Sequence, residues 1–587
     1  MATFMVSNGR RHRLPEGADM TFTNSTYVNL VSQATEAQAR LFLQYMGPRN
    51  DFDIAIVGSG MGGGVLADDL ADRVGKSRRI LLLEAGSFVY PTHVYNMCRF
   101  SNSSLARHYG CDTFWQSGDE RSEFYIGEKP QLNLGGRSIF WSGLIPAIQA
   151  WELEFFPPRV RNDLSGGLLN TAGETMNESR SMGSTAQAIV SKLRQSSLAL
   201  DFSIQETPRA LHQPYLSPDG TPRDQFFTEP TGVFNTAELL VNQLGLTPGV
   251  SHGDGPGLHL LLNHFVEDVQ DHGSHYQIVA RNVLTGQVRT FRAPAVVLAG
   301  GSIESPKLVR RSSMFPALPQ PVKDLIGRGL TDHPTSNEIT TFVTSIGNIT
   351  VPRTAHAKII FYSRGLPDPA NPGQTRYPFN VEMNINHEYW HLRENDPNDP
   401  DRLDPMAFST NQPGGASRVD IKFSFGNCLD EDNVIDAAPA FGYVPRIQFH
   451  NQTWMDRLRD SRFPALAGWQ KDYGQIFAVM NEITYQIFRQ FKINGMEARP
   501  ENEIWYGSGG KGFGWGTVHH AAGSMRMPYR SSHISPFNAQ SVLDEDLRLV
   551  GGRSLYVCDM SVMPFSSAAN PVRTLAALAL RLSQHLA

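Results

Sequence analysis

Cysteine is nearly absent from this chain. Only Cys98, Cys111, Cys428 and Cys558 occur in 587 residues, with no pair in CxxC or metal-ligand spacing. That spacing excludes a zinc ribbon and a disulfide framework, and four buried free thiols in a reducing cytosol are expected. No charge sign dominates: 52 basic residues against 57 acidic ones leave a net charge of −5. Neither nucleic acid nor an anionic membrane finds an electrostatic footprint in that balance. Long apolar runs are missing too; those such as 294–299 fall far short of a membrane span. The opening MATFMVSNGRRHRLPEGADM has no apolar centre of a secretory signal, so a cytoplasmic location is expected. No internal repeat stands out.

What is present is globular. Hydrophobic residues make up 40% and charged ones 19%, too apolar a mixture for disorder. The length exceeds one ordinary core, so two or more structural units are expected. Residues 1–50 read as an arm with a helix at 28–45. FDIAIV at 52–57 suits a buried parallel strand, followed by a helix at 63–73 and a second apolar strand at 80–83, one βαβ unit. The Gly-, Ser-, Asn- and Thr-rich stretch 165–184 reads as loop. Alternating runs at 258–266 and 276–281 read as strands, with Gly286 at a hairpin turn between Val283 and Val288. VVLA within 295–299 is another buried strand. The proline- and aspartate-rich 394–415 reads as an exposed loop, a lid or a subunit contact. A strand at 555–557 precedes a helix at 571–586, whose Val572, Leu575, Ala576, Ala579, Leu582 and Leu586 recur at helical spacing.

The chemistry begins at Gly58-Ser59-Gly60-Met61-Gly62-Gly63, a G-x-G-x-x-G between strand and helix. Gly58 permits the tight turn, Gly60 lets backbone approach a pyrophosphate, and Gly63 lets the helix pack on the strand. The helix N-terminus offers free N–H groups to phosphate. Glu84, at the end of the second strand, is placed to accept a ribose hydroxyl and disfavours a 2′-phosphate. The motif leaves NAD and FAD both open.

Five blocks in order then resemble the glucose-methanol-choline (GMC) family of flavoprotein oxidoreductases: FDIAIVGSGMGGG…LLLEAG; NLGGRSIFWSG at 133–143; AVVLAGGSIESP at 295–306; IGRGLTDHP at 326–334; and HHAAGSMRMP with LYVCDMSVMPFSSAANPVRT at the end. The details are most similar to the pyranose-oxidase-like branch. The resemblance implies an α/β fold: a Rossmann-like FAD-binding domain with a discontinuous substrate domain built on a mostly antiparallel sheet of six strands. The FAD domain is expected from 51–165, 250–335 and 505–587, and the substrate domain from 166–249 and 336–504. Phe140 stands where relatives carry a flavin-tethering histidine, so FAD is expected to be non-covalent.

The resemblance also assigns roles. His520 falls on the catalytic base and Asn570 on its partner. Histidine titrates near working pH and can take the hydroxyl proton as a hydride leaves carbon for the flavin. Asn570 would orient the developing alkoxide. Gly136, Asn133, Ser138, Gly300, Asp559, Asn570 and Pro571 join Gly58, Gly60, Gly63 and Glu84 as the FAD cradle. Each has a plainer alternative: His519 could replace His520, Asn570 could only cap the helix, Asp559 could be a turn residue, and Trp141 could be core. His333 reads as structural, and His252, His264, His272 and His275 as surface residues. The run 379–390 reads as a substrate-domain strand, lining the pocket or simply burying one sheet face. No metal site is expected.

The leading expectation is oxidation of an alcohol, with a sugar, glycoside or polyol suggested by the branch and oxygen or another acceptor taking the electrons. An FAD-containing lyase, an NAD-dependent dehydrogenase and a non-catalytic flavoprotein stay open beside it. Sequence leaves room for an oligomer.

Overall fold

Strands made of unbroken apolar runs must be covered on both faces. Ile54–Val57 (IAIV), Arg79–Leu83 (RILLL) and Ala295–Leu298 (AVVL) are such runs. In the computed structural model they join Leu555–Val557 and Gly257–Leu261 in one five-stranded sheet. Its order is Leu555–Val557, Ala295–Leu298, Ile54–Val57, Arg79–Leu83, Gly257–Leu261, and every neighbouring pair is parallel. The structure describes residues 3–5, 11–13, 49–75, 77–87, 115–116, 131–139, 141–179, 184–210, 233–243, 257–333, 335–336, 338–352, 355, 357–363, 366–367, 375–376, 379–386, 416–436, 446–448, 473–500, 520–530, 537–538 and 540–587. The expected helix at 28–45, the loop at 394–415, and Cys98, Cys111, Phe140, His252 and His519 lie outside them.

The helix Met61–Val74 follows the first strand and packs against the C-terminal helix Val572–Leu586. From Arg573 to Ser583 that helix is buried all round, the pattern of a helix enclosed in a core. A three-stranded antiparallel sheet, His264–Asp271, Tyr276–Asn282 and Val288–Ala293, stands beside the parallel sheet. Gly286 turns its hairpin at φ +74°, as the sequence implies.

The second large sheet runs Ile339–Val343, Ser417–Phe425, Phe379–Ile385, Ala357–Ser363, Phe202–Glu206, all antiparallel. It has five strands among the described residues, against the six expected. Phe379, Val381, Met383 and Ile385 enter a second hydrophobic core, shared with Ile189 and Leu193 of the helix Ser184–Arg194 and with Ile487 of Tyr473–Phe488. Asn380, Glu382 and Asn384 alternate with them on the other face and are equally buried. Opposite these on the neighbouring strands stand Ser424 and Tyr362, Lys422 and Ile360, and Asp420 and Lys358. One face of this sheet is therefore buried and largely polar, with Ile360 as an apolar member.

Several expectations need correction. The stretch 165–184 is helical for much of its length: a π turn at Leu164–Leu168 leads into Leu169–Thr175. Val160, Leu164, Ala172 and Met176 fall at multiples of four and bury in the first core, so tertiary burial overrides the loop-like composition. The helix Thr236–Gln243 packs on Met61–Val74, and both it and Leu169–Thr175 join the parallel-sheet core instead of the second sheet. His264 is buried, not at the surface; its Nδ1 bonds the Leu262 carbonyl at 2.7 Å, and burial holds its pKa below the usual histidine value. Neither Cys428 nor Cys558 is in a disulfide, and of these two Cys558 alone is fully buried.

Candidate active site

The glycine turn sits where the parallel strands end. Gly58 has φ +104°, and a Cβ there would lie 2.4 Å from the Ala299 carbonyl. A Cβ on Gly63 would lie 2.0 Å from Gly58 O, so helix and strand touch through glycine alone. Gly60 differs: a Cβ there meets nothing within 4 Å. It is also the N-cap of Met61–Val74 and supplies no side-chain cap. The first-turn amides thus have open space and no capping oxygen, the condition under which a helix end accepts an anion.

Glu84 is buried beside this turn. Its Oε2 accepts from Ser59 N at 3.1 Å and Ser59 Oγ at 2.6 Å, and its Oε1 from Gly86 N at 2.8 Å. Burial raises its pKa against the pull of those hydrogen bonds. Ser59 Oγ also accepts from Gly135 N at 3.0 Å, which clamps the segment 131–139 over the glycine turn; a Cβ on Gly136 would come 3.3 Å from Gly60 Cα. Ser138 Oγ is spent inside the protein, donating to Gly135 O at 2.6 Å and accepting from Thr236 N at 3.0 Å. Asn133 is wholly buried; its Nδ2 donates to Leu134 O and Gly136 O, but its Oδ1 has no hydrogen-bond partner among the described residues.

Asp559 ends the edge strand and ties three elements together. It accepts from Gly301 N at 2.9 Å, Ser305 Oγ at 2.5 Å and Ser561 N at 2.8 Å. Burial raises its carboxyl, and those donors oppose the rise. Gly300 donates its N–H to Ser305 Oγ at 3.0 Å in the same turn. Trp141 packs on the first core and donates to Phe234 O at 2.8 Å, which supports the core reading.

The segment after His520 adjoins these elements, with Ser302 Oγ donating to Ala521 O at 2.6 Å. His520 Nδ1 stands 3.0 Å from His333 Nε2, with the rings edge to face at 4.6 Å between centroids. His333 Nδ1 in turn stands 3.0 Å from the Ser567 carbonyl. Ser567 belongs to the segment that carries Asn570. That segment is fixed at many points: Phe565 stacks on Phe155 with centroids 4.0 Å apart, Ser566 exchanges backbone hydrogen bonds with Asn427, and Ala568 N donates to Glu152 Oε1 at 2.6 Å. Asn570 Oδ1 is nevertheless buried without a hydrogen-bond partner among the described residues. The helix that follows has Pro571 as its N-cap and no side-chain cap, so the capping role for Asn570 is not made.

Asp332, His333 and His520 bring one ligand atom each within 4.8 Å. The hydrogen bonds already engage them, since Asp332 Oδ1 accepts the His333 amide at 2.8 Å and the two rings bond each other. Sequence reasoning missed Ser59, Thr236 and the contact of His333 with His520. Ser59 stood at a variable position of the glycine motif, and Thr236 has no local signature. The TDHP motif was the signal for His333, read only as structure.

An uncapped glycine turn at the ends of a parallel sheet, beside a second antiparallel sheet, defines an α/β protein with a candidate dinucleotide site. The family model for GMC oxidoreductase matches residues 508–579. Among solved structures, pyridoxine 4-oxidase from Mesorbium loti aligns over 91% of this chain and 98% of its own, with TM-score 0.53 and 16% identity. That likeness concerns the fold. No curated protein matches the sequence. The chain is thus similar to the GMC oxidoreductases in its C-terminal segment and to pyridoxine 4-oxidase in fold. Among the described residues, no helix is long and apolar enough to cross a membrane.

Proposed function

We propose that this chain binds FAD without a covalent tether and oxidises the carbinol carbon of a hydroxyl-rich alcohol, a sugar, glycoside or polyol, with oxygen or another small acceptor regenerating the cofactor. The residues present fit the cofactor. The open space at Gly60 and the uncapped first turn suit a pyrophosphate. Gly58 and Gly63 keep the turn close to the strand, and Glu84, which retains lone pairs beyond its three internal donors, suits a ribose hydroxyl. Gly136, Ser138, Gly300, Asp559 and Pro571 shape the surrounding backbone. Asn133 Oδ1, without a partner among the described residues, suits a donor from the cofactor.

When bound, FAD supplies the acceptor for a hydride. The rest of the chemistry belongs to side chains. His520 takes the hydroxyl proton, and Asn570 hydrogen-bonds the alcohol oxygen and orients it. The observation that carries this reading is the buried Asn570 Oδ1, without a hydrogen-bond partner among the described residues, in a segment joined through His333 to His520. Leaving such an acceptor unsatisfied costs about 1–3 kcal/mol, which a second hydroxyl of the substrate removes by donating to it, while Asn570 Nδ2 donates to the reacting oxygen.

The polar sheet face supports the substrate class. It lies against the catalytic segments: Gln149 donates to Asn380 at 2.9 Å, Tyr362 accepts from Ala147 N at 3.1 Å, and Thr335 pairs with Ser424. Asn380 Nδ2 is buried without a partner among the described residues, a donor suited to a second hydroxyl. The test is an anaerobic spectrum of the purified protein against sugars, glycosides, polyols and simple alcohols. Bleaching of the oxidised flavin band by a polyhydroxy alcohol, slowed about 10²- to 10⁴-fold in His520→Ala, is the expected result. Protein that binds no flavin, or that is bleached only by apolar alcohols, overturns the reading.

A further inference from the structure

Carbonyl oxygens accept hydrogen bonds and never donate them. The 3.0 Å contact between Ser567 O and His333 Nδ1 therefore places a proton on that nitrogen. A neutral His333 then carries only a lone pair at Nε2. Its neighbour at 3.0 Å, His520 Nδ1, has to be the donor. The edge-to-face rings, 72° apart, suit an N–H aimed in its own ring plane at that lone pair. With its proton on Nδ1, neutral His520 has an unprotonated Nε2.

We infer that His333 is a positioning residue that fixes the tautomer of His520, leaving His520 Nε2 as the atom that receives the alcohol proton. This rests on the reading of His520 as the base. The chain of donors is complete: His520 Nδ1 to His333 Nε2, and His333 Nδ1 to Ser567 O. It also orients the ring, because rotating His520 about its Cβ–Cγ bond breaks the Nδ1 bond. The groups facing His333 are His520, Asp332, Glu382 and Lys422. Asp332 Oδ1 accepts the His333 amide, while Glu382 is paired with Lys422 at 3.1 Å. Burial pushes the His333 pKa down to about 4, against the Glu382 charge and the Ser567 carbonyl, which raise it. At neutral pH it therefore stays an acceptor. Orienting partners of metal-bound histidines are commonly worth about 10- to 100-fold in activity.

The experiment uses the flavin-loaded protein, labelled with ¹⁵N-histidine, in long-range ¹H–¹⁵N spectra; His520→Gln identifies the His520 signals by their loss. The expected result is a protonated Nδ1 and an unprotonated Nε2 on His520 at neutral pH. In His333→Leu that tautomer preference disappears, and anaerobic flavin reduction at saturating substrate slows about 10- to 100-fold. His333→Gln, whose Oε1 offers an acceptor near the lost Nε2, restores most of both. A wild-type His520 protonated at Nε2, or a His333→Leu protein that keeps both tautomer and rate, overturns the inference. The tautomer is read without substrate, so its presence in a protein that no alcohol reduces would sink the functional reading and the proton-acceptor role of Nε2, and leave the positioning of His520 by His333 standing.

Discussion

Glu152 Oε1 accepts the amide of Ala568 at 2.6 Å across 416 residues of sequence, two positions before Asn570. Its other oxygen accepts Gln149 N at 3.1 Å. The side chain is wholly buried, and burial lifts its pKa from 4.5 to about 7, against the pull of those two amides. His333, bonded to Ser567 in the same segment, is displaced in the other direction, from 6.5 to about 4.

These two groups make opposite contributions to stability across nearly the same pH window. Between about 4.5 and 7 the folded chain holds a proton on Glu152 that the unfolded chain has lost, so stability falls as pH rises. Between about 4 and 6.5 the unfolded chain holds a proton on His333 that the folded chain lacks, so stability rises with pH. Each is worth about 3 kcal/mol at most, and together they nearly cancel. Glu152→Gln should make stability rise through pH 4 to 6.5, and His333→Leu should make it fall through pH 4.5 to 7. Urea midpoints measured at several pH values check this. Two variants with the same slope would refute it.

The glycine turn separates a structural position from a binding one. Gly63→Ala forces a Cβ to 2.0 Å from the Gly58 carbonyl and should cost about 1–3 kcal/mol of stability through overpacking. Gly60→Ala meets open space, so the flavin-free protein should melt as wild type does. Its methyl group should still obstruct the pyrophosphate. Every tenfold loss of FAD affinity would correspond to about 1.4 kcal/mol. Thermal melts with and without FAD, together with retained flavin absorbance, distinguish the two. Equal flavin loss without any change in stability for either variant would refute the assignment.

Ser59 is predicted to be a structural brace for Glu84. Its hydroxyl bonds Glu84 at 2.6 Å and Gly135 at 3.0 Å, so Ser59→Ala removes both contacts inside a buried layer. A loss of about 1–3 kcal/mol is expected in the flavin-free protein. Glu84→Gln should instead show its main effect as weaker FAD retention. Denaturation and flavin titration of both variants provide the check; a Ser59→Ala protein of unchanged stability would remove the brace.

How much was legible in the sequence follows the range of the forces. The strands IAIV, RILLL and AVVL and the C-terminal helix were legible because their patterns report burial directly. Gly58 and Gly63 were legible because backbone contacts there exclude any side chain. The helix at 169–175 was not, since its residues earn helical form only by packing on the C-terminal helix. His333 and His520 are 187 positions apart, and no local pattern announces their bond. The same holds for Glu152, whose partner is brought to it by the fold of the whole chain.

Asn570 carries the sharpest separation between fold and chemistry. If it capped the C-terminal helix, truncation would cost about 0.5–2 kcal/mol. That helix has Pro571 at its N-cap and no side-chain cap, while Asn570 Oδ1 is buried and unpartnered among the described residues. Asn570→Ala should therefore leave stability within about 0.5 kcal/mol of wild type. Removing a group that orients the reacting oxygen should slow flavin reduction about 10²- to 10³-fold. The loss should fall mainly on the limiting rate, because the contact strengthens as the oxygen gains charge. Rapid-mixing reduction kinetics beside a urea denaturation curve measure both quantities. A destabilised protein with a normal reduction rate would return Asn570 to the role of a cap.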